Sequence, residues 1–80
     1  MNREQVMQKL NKIFIDVFED DSIIIADTTT ANDIEEWDSL AHLQLIAEIE
    51  KEFKVHFTLG EITNFANVGA LCDCVVKHLG

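Results

Sequence analysis

An all-α fold is what this chain predicts: three principal helices, one short helix, and a long irregular loop between the first and second. Three observations carry that expectation. The 80 residues include no proline and only three glycines, so helices meet few interruptions. Apolar residues recur at helical spacing in three separate stretches. Between the first two stretches, Asp20-Asp21-Ser22 breaks the pattern, and the chain stays irregular to Trp37 through three consecutive threonines and Asn32. At 48% hydrophobic and 26% charged the composition is globular rather than disordered. A single domain, residues 1–80, is expected. A chain of this length buries only about 60% of its unfolded surface, enough for a modest core but not for a roomy catalytic cleft.

Val6, Leu10, Ile13, Phe14 and Val17 place the first amphipathic helix over residues 3–19. Asp20-Asp21-Ser22 ends it. In SIIIADTTTANDIEEW the threonines and Asn32 disfavour a helix, while Ile23 to Ile25 and Ile34 call for burial. The isoleucine triplet is a candidate short strand, but no second strand is evident to pair with it. A loop this long in a small domain often carries function. The second helix runs from Asp38 to about Phe53. VHFT then changes the pattern, and LGEITNF permits only a short third helix. Asn67 caps a last helix reaching about His78, with Val68, Leu71, Cys72, Val75 and Leu79 on its inner face.

The second helix has two apolar stripes. At about 100° per residue, Leu45, Ile46, Ile49 and Phe53 cluster on one side, spaced for burial against the other helices. Leu40, Leu43 and Ala47 cluster elsewhere, beside the helix start. Either Leu40 and Leu43 pack under the long loop as ordinary core, or they form an exposed apolar patch that marks a partner surface.

Ser39 lies at that helix start, in EWDSLAHLQLI. Asp38 is well suited to cap the helix, its carboxylate accepting from free N–H groups of the first turn. Trp37 is placed to pack back on that turn near His42, in the manner of a hydrophobic staple. Ser39 then falls at the first helical position and is not needed as the cap. A phosphate attached to its hydroxyl is favoured by the helix dipole and the nearby N–H groups. As a catalytic nucleophile it lacks support: no G-x-S-x-G elbow surrounds it, and His42 is a weak candidate base with no oxyanion hole in evidence.

On these residues the chain resembles the acyl carrier proteins and their peptidyl-carrier relatives. The resemblance rests on Asp38-Ser39-Leu40 at a helix start, Leu45-Ile46 and Ile49 along it, and Glu52-Phe53 at its end. Val55-x-Phe57 and Asn67-Val68-Gly69 extend it over essentially the whole chain. It implies an acyl-carrier-like four-helix bundle in which Ser39 bears 4′-phosphopantetheine, donated by coenzyme A through a magnesium-using phosphopantetheinyl transferase. The arm carries an acyl or aminoacyl group as a thioester, and the chemistry belongs to partner enzymes that load and transfer it. By the same resemblance, Asp38 helps the transferase position magnesium. Leu40, Leu43 and Ala47 match the family's exposed apolar contacts, with Glu48 in the acidic surround.

The chain departs from the carriers of fatty-acid synthases, which usually place acidic residues just after the D-S-L tripeptide and three positions on. Here those positions are Ala41 and Gln44. Trp37 stands where those carriers more often have a small residue. The W-D-S-L-x-H pattern looks more like stand-alone carriers of specialised pathways, and leaves the cargo open. The alternative is a carrier-like interaction module that never bears the arm; an independent hydrolase using Ser39 is the weakest reading.

Fifteen acidic against six basic residues give a formal net charge of −9. Such a surface repels nucleic acid and anionic membranes, and speeds encounter with proteins carrying basic patches, although small acidic proteins are also simply soluble. No apolar run approaches the ~20 residues of a membrane span, and MNREQVMQKL is too polar for a secretory signal. A cytoplasmic monomer is expected, in keeping with two cysteines that do not form a disulfide framework.

No metal site is expected. DVFEDDSIIIAD lacks the central glycine of a calcium loop. Cys72 and Cys74 point about 200° apart on one helix, so they cannot share an ion with His78. Cys72 reads as a small core residue and Cys74 as an exposed, unactivated thiol. His42, His56 and His78 have no convergent partners in sequence.

Overall fold

A computed structural model describes residues 2–63 and 65–79, and the helices start where capping chemistry permits. Helix α1 spans Arg3–Phe18. At its start the Asn2 side chain accepts from the Gln5 N–H at 2.9 Å, while the Gln5 side chain accepts from the Asn2 N–H at 3.0 Å. That reciprocal pair satisfies two donors a helix start leaves free. Helix α2 spans Ser39–Phe53, capped by Asp38. The short α3 covers Leu59–Thr63; Asn64, also in the LGEITNF stretch, lies outside the described residues. Before α3, Thr58 and Glu61 cap each other's backbone N–H groups at 3.2 and 2.8 Å. Helix α4 spans Val68–Leu79, and Asn67 caps it by accepting from the Ala70 N–H at 2.8 Å. With no glycine at their ends, α1 and α2 close on Glu19 and Lys54 in the left-handed region, φ 52° and 56°.

Burial follows the periodicity. Val6, Leu10, Ile13 and Phe14 of α1 meet Leu45, Ile46, Ile49 and Phe53 of α2, and Val68, Leu71, Cys72 and Val75 of α4. Helix α1 is the common partner, packing against both α2 and α4. Val55 and Phe57, between α2 and α3, complete the core with Ile25 and Ile34 of the loop. Among the described residues no helix is long and apolar enough to cross a membrane.

Three expectations are corrected here. The isoleucine triplet forms no strand. Ile25 is buried and Ile23 half-buried, but Ile24 is 87% exposed, because successive side chains of an extended segment point to opposite sides. Leu79 lies in the last turn of α4, where no further core layer covers it, and is 38% exposed.

What orders the long loop is a set of polar clasps rather than secondary structure. The half-buried Asn11 side chain accepts from the Ile25 N–H at 2.7 Å and donates to the Ile23 carbonyl at 3.3 Å, so α1 supplies the loop with both halves of a strand-like pairing. At α4 the Val68 N–H donates to the Thr29 carbonyl at 2.8 Å and the Gly69 N–H to the Asp27 carbonyl at 3.0 Å. Helix α4 thus uses the loop as acceptor for N–H groups its own first turn cannot pair. Arg3 bonds both Asp27 and Asp73, and its guanidinium holds the Asp27 carboxyl below the usual carboxylate range.

Gly69 is required by this contact. A Cβ there would sit 2.9 Å from the Asp27 carbonyl oxygen, a backbone atom that cannot swing aside. Gly69→Ala is therefore expected to lower stability by about 1–3 kcal/mol, the usual range for overpacking. Denaturant melts of the two proteins measure it; an unchanged midpoint would show that the loop yields freely.

Candidate functional site

Asp38 has extended backbone, φ −108°, and its Oδ1 accepts from the Ala41 N–H at 2.8 Å. The cap of α2 is therefore the aspartate, and Ser39 is the first helical residue with its side chain exposed, as expected. Among the described residues, the backbone N–H groups of Ser39 and Leu40 have no protein acceptor. Two free donors at a helix N-terminus, beside an exposed hydroxyl, suit a phosphate ester held on that hydroxyl.

Trp37 packs behind this turn. Its ring meets Phe14 edge-on, centroids 5.2 Å apart, and stacks on His42 at 6.0 Å. The indole N–H donates to His42 Nδ1 at 3.1 Å. Since Nδ1 accepts, the other nitrogen of the neutral ring carries the proton, and Nε2 donates to the Ile62 carbonyl at 2.9 Å. Both nitrogens are occupied, so His42 has no lone pair to offer Ser39. A serine–histidine hydrolytic pair is excluded by this arrangement. His42 instead ties the start of α2 to α3.

The second stripe of α2 is exposed, not core. Leu40 is 67% and Leu43 58% exposed, with Ala47 and Glu48 exposed beyond them. Of the two readings of this stripe, packing under the long loop is therefore the one overturned. Ile25 and Ile34 of the loop go to the core and its backbone is clasped by α1 and α4, so it borders this face through Thr30, Ala31 and Asn32 without covering the leucines. Leu59 on α3, 78% exposed, stands with the stripe. Between them lies an open groove of about 700 Å³, lined by Trp37, Ser39, His42, Leu43, Leu59, Ile62 and Phe65 among others. Leu59 is not legible from sequence, because a five-residue helix has no periodicity to assign it a face.

Cys72 is fully buried, as expected. Cys74 is corrected from exposed to half-buried: its thiol donates to Glu61 Oε2 at 3.3 Å. Burial, with the adjacent Glu61 carboxylate, pushes the thiol up to about 11, so it is unactivated. His78, expected to lack convergent partners, contacts both Glu61 carboxylate oxygens at 3.0 and 3.1 Å. His56 remains on the surface.

The family model for the phosphopantetheine attachment site matches residues 8–75. Comparison with curated proteins gives no match. Among solved structures, the chain is similar to holo acyl carrier protein from Geobacter metallireducens, determined in solution by NMR. The two are 47% identical and superpose with a TM-score of 0.88, covering 92% of this chain and 85% of that one. A match over most of the sequence and the same fold in a holo carrier lead to one conclusion: the chain belongs to the phosphopantetheine-attachment family as an acyl carrier protein, a carrier rather than an enzyme, whose prosthetic group is covalently attached 4′-phosphopantetheine.

Proposed function

We propose that Ser39 bears the phosphopantetheine, and that residues 1–80 act as one carrier domain presenting acyl or aminoacyl thioesters to partner enzymes. The observation that carries this is the position of Ser39, an exposed hydroxyl at the first position of α2 beside a cap that it does not supply. When attached, the arm supplies a terminal thiol on which the cargo rides. Ser39 anchors its phosphate, and the free N–H groups of Ser39 and Leu40 favour that charge at the helix start. Asp38 fixes the turn and offers the transferase a carboxylate for its magnesium. Trp37, His42 and Ile62 form a rigid wall behind the serine, so a partner meets a preformed surface.

Leu40, Leu43 and Ala47 are the apolar contacts of the transferase and acyl-handling partners in this reading, and Leu59 of α3 extends them. Glu48 and the net charge of −9 draw partners with basic patches to a monomeric carrier. The first turn of α2 carries no acidic residue; Ala41 and Gln44 stand where fatty-acid-synthase carriers have carboxylates. Recognition close to Ser39 therefore rests on apolar contact, which favours a dedicated partner set in a specialised pathway over a housekeeping one. Both cysteines are free thiols, in keeping with the reducing cytoplasm.

Intact mass after incubation with coenzyme A and a broad-specificity transferase tests the attachment. The protein is expected to gain one phosphopantetheinyl mass, and Ser39→Ala to fold and gain none. A chain that stays unmodified would instead be a carrier-like interaction module.

The two roles of Asp38 separate on substitution. Asp38→Ala is expected to lose about 0.5–2 kcal/mol through the missing cap and to be modified slowly. Asp38→Ser restores a capping oxygen, so stability returns while modification stays slow. If both recover together, the aspartate matters only as a cap.

The two stripes of α2 are expected to respond oppositely to truncation. Leu43→Ala leaves the melting temperature nearly unchanged, since little buried area is lost, yet slows the transferase or a downstream enzyme. Ile49→Ala, fully buried, lowers stability by about 2–5 kcal/mol. Thermal melts paired with modification kinetics read both, and equal kinetics for Leu43→Ala and the parent would move the partner surface elsewhere.

A further inference from the structure

Glu61, Cys74 and His78 bring a carboxylate, a thiol and an imidazole together at one point. Cys74 and His78 are four residues apart on α4 and so share a face. Glu61 reaches them from α3. Its Oε2 lies 3.0 Å from His78 Nε2 and 3.3 Å from Cys74 Sγ, and the three donor atoms all fall within 4.8 Å of one another. The side chains of His78 and Glu61 are only 27% and 25% exposed. Neighbours hold two of the donors in place. Glu61 Oε1 accepts from the Thr58 N–H at 2.8 Å, and the His78 ring lies edge-on to Phe57 at 5.3 Å.

We infer that these three residues form a binding site for a divalent transition cation, with zinc the best match. Donors around a tetrahedral zinc lie about 3.3–3.6 Å apart when the bonds have their usual lengths. The two Glu61 contacts need to lengthen by only tenths of an ångström, while Cys74 Sγ and His78 Nε2, within 4.8 Å of each other, close by side-chain rotation. Sulfur and imidazole nitrogen suit zinc, whereas calcium and magnesium select oxygen donors. Thiolate and carboxylate together balance the two positive charges, in a chain already at −9. On binding, the thiol proton leaves to solvent and the sulfur lone pair takes its place on the metal. Three protein ligands leave the fourth position to water. The pair of ligands on α4 escapes a search for Cys72 with Cys74, because the working partner of Cys74 is one turn on, at His78, and the third ligand comes from another helix.

The cation ties α3 to α4. Helix α3 supplies Leu59 and Ile62 to the groove beside Ser39, so metal binding steadies one wall of that groove without touching the serine.

Titration of the reduced, unmodified full chain with cobalt(II), then zinc(II), tests the site. In that form Cys72 and Cys74 are the only thiols, and Cys72 is fully buried. One cobalt per chain is expected, with the intense visible bands of tetrahedral coordination and a thiolate-to-cobalt charge-transfer band that zinc abolishes. Zinc should also raise the melting temperature. Cys74→Ser removes the charge-transfer band, and His78→Gln and Glu61→Gln weaken zinc binding about tenfold or more. His56→Gln, whose side chain is 97% exposed, leaves binding unchanged. An octahedral cobalt spectrum without the charge-transfer band in the parent protein overturns the inference, as does unchanged zinc affinity in Cys74→Ser.

Discussion

Trp37 sets its indole edge-on to Phe14 of α1 and gives its N–H to His42 of α2, which in turn donates to the Ile62 carbonyl of α3. Three helices are connected through that one side chain, and the residue after it is the cap of α2. The geometry around Ser39 depends on this contact more than on any other. An N-cap must hold extended backbone while the next residue is already helical. A bulky ring fixed against the core immediately before the cap leaves the chain few ways to enter the helix. An aromatic pair of this kind contributes about 0.5–1.5 kcal/mol beyond its buried area, and the hydrogen bond makes its orientation specific. A small residue at this position would leave the cap, but not the tie between α1 and α3.

Because the loop is clasped elsewhere, α2 is free to present its second face. Asn11 and the first turn of α4 take up the loop's polar backbone, while the helical core takes up its Ile25 and Ile34 side chains. The loop therefore runs past the helix start without covering Leu40 or Leu43. Exposing large leucines has an energetic disadvantage only if the surface has no other use. In the proposed reading, that surface is the one offered to partners with their own active sites. A core of modest size suffices because the protein performs no chemistry itself and needs no enclosed cleft.

The two ends of α4 show how little of a helix's environment lies in its own pattern. At its N-terminus Gly69 is needed by the approach of Asp27, a residue far away in sequence. Near its C-terminus Cys74 and His78 are drawn to Glu61 of a five-residue helix. Both contacts link segments that no local rule connects, and both involve residues that look unremarkable on a helical wheel.

What the sequence determined by itself is what short-range physics controls. The 3.6-residue repeat placed α1, α2 and α4 and sorted their buried faces, with Leu79 the exception at a terminus. Cap chemistry located Asp38 and Asn67 and left Ser39 as an exposed hydroxyl, and the Asp38-Ser39-Leu40 tripeptide in that setting carried the family resemblance. Tertiary structure decided everything that depends on which segments meet. The outward turn of Ile24, the exposure of Leu40 and Leu43, the place of Leu59 beside them and the meeting of Glu61 with Cys74 and His78 all follow from how the loop and α3 dock. Periodicity describes a helix against its own axis. It carries no information about which neighbour, if any, will cover a given face.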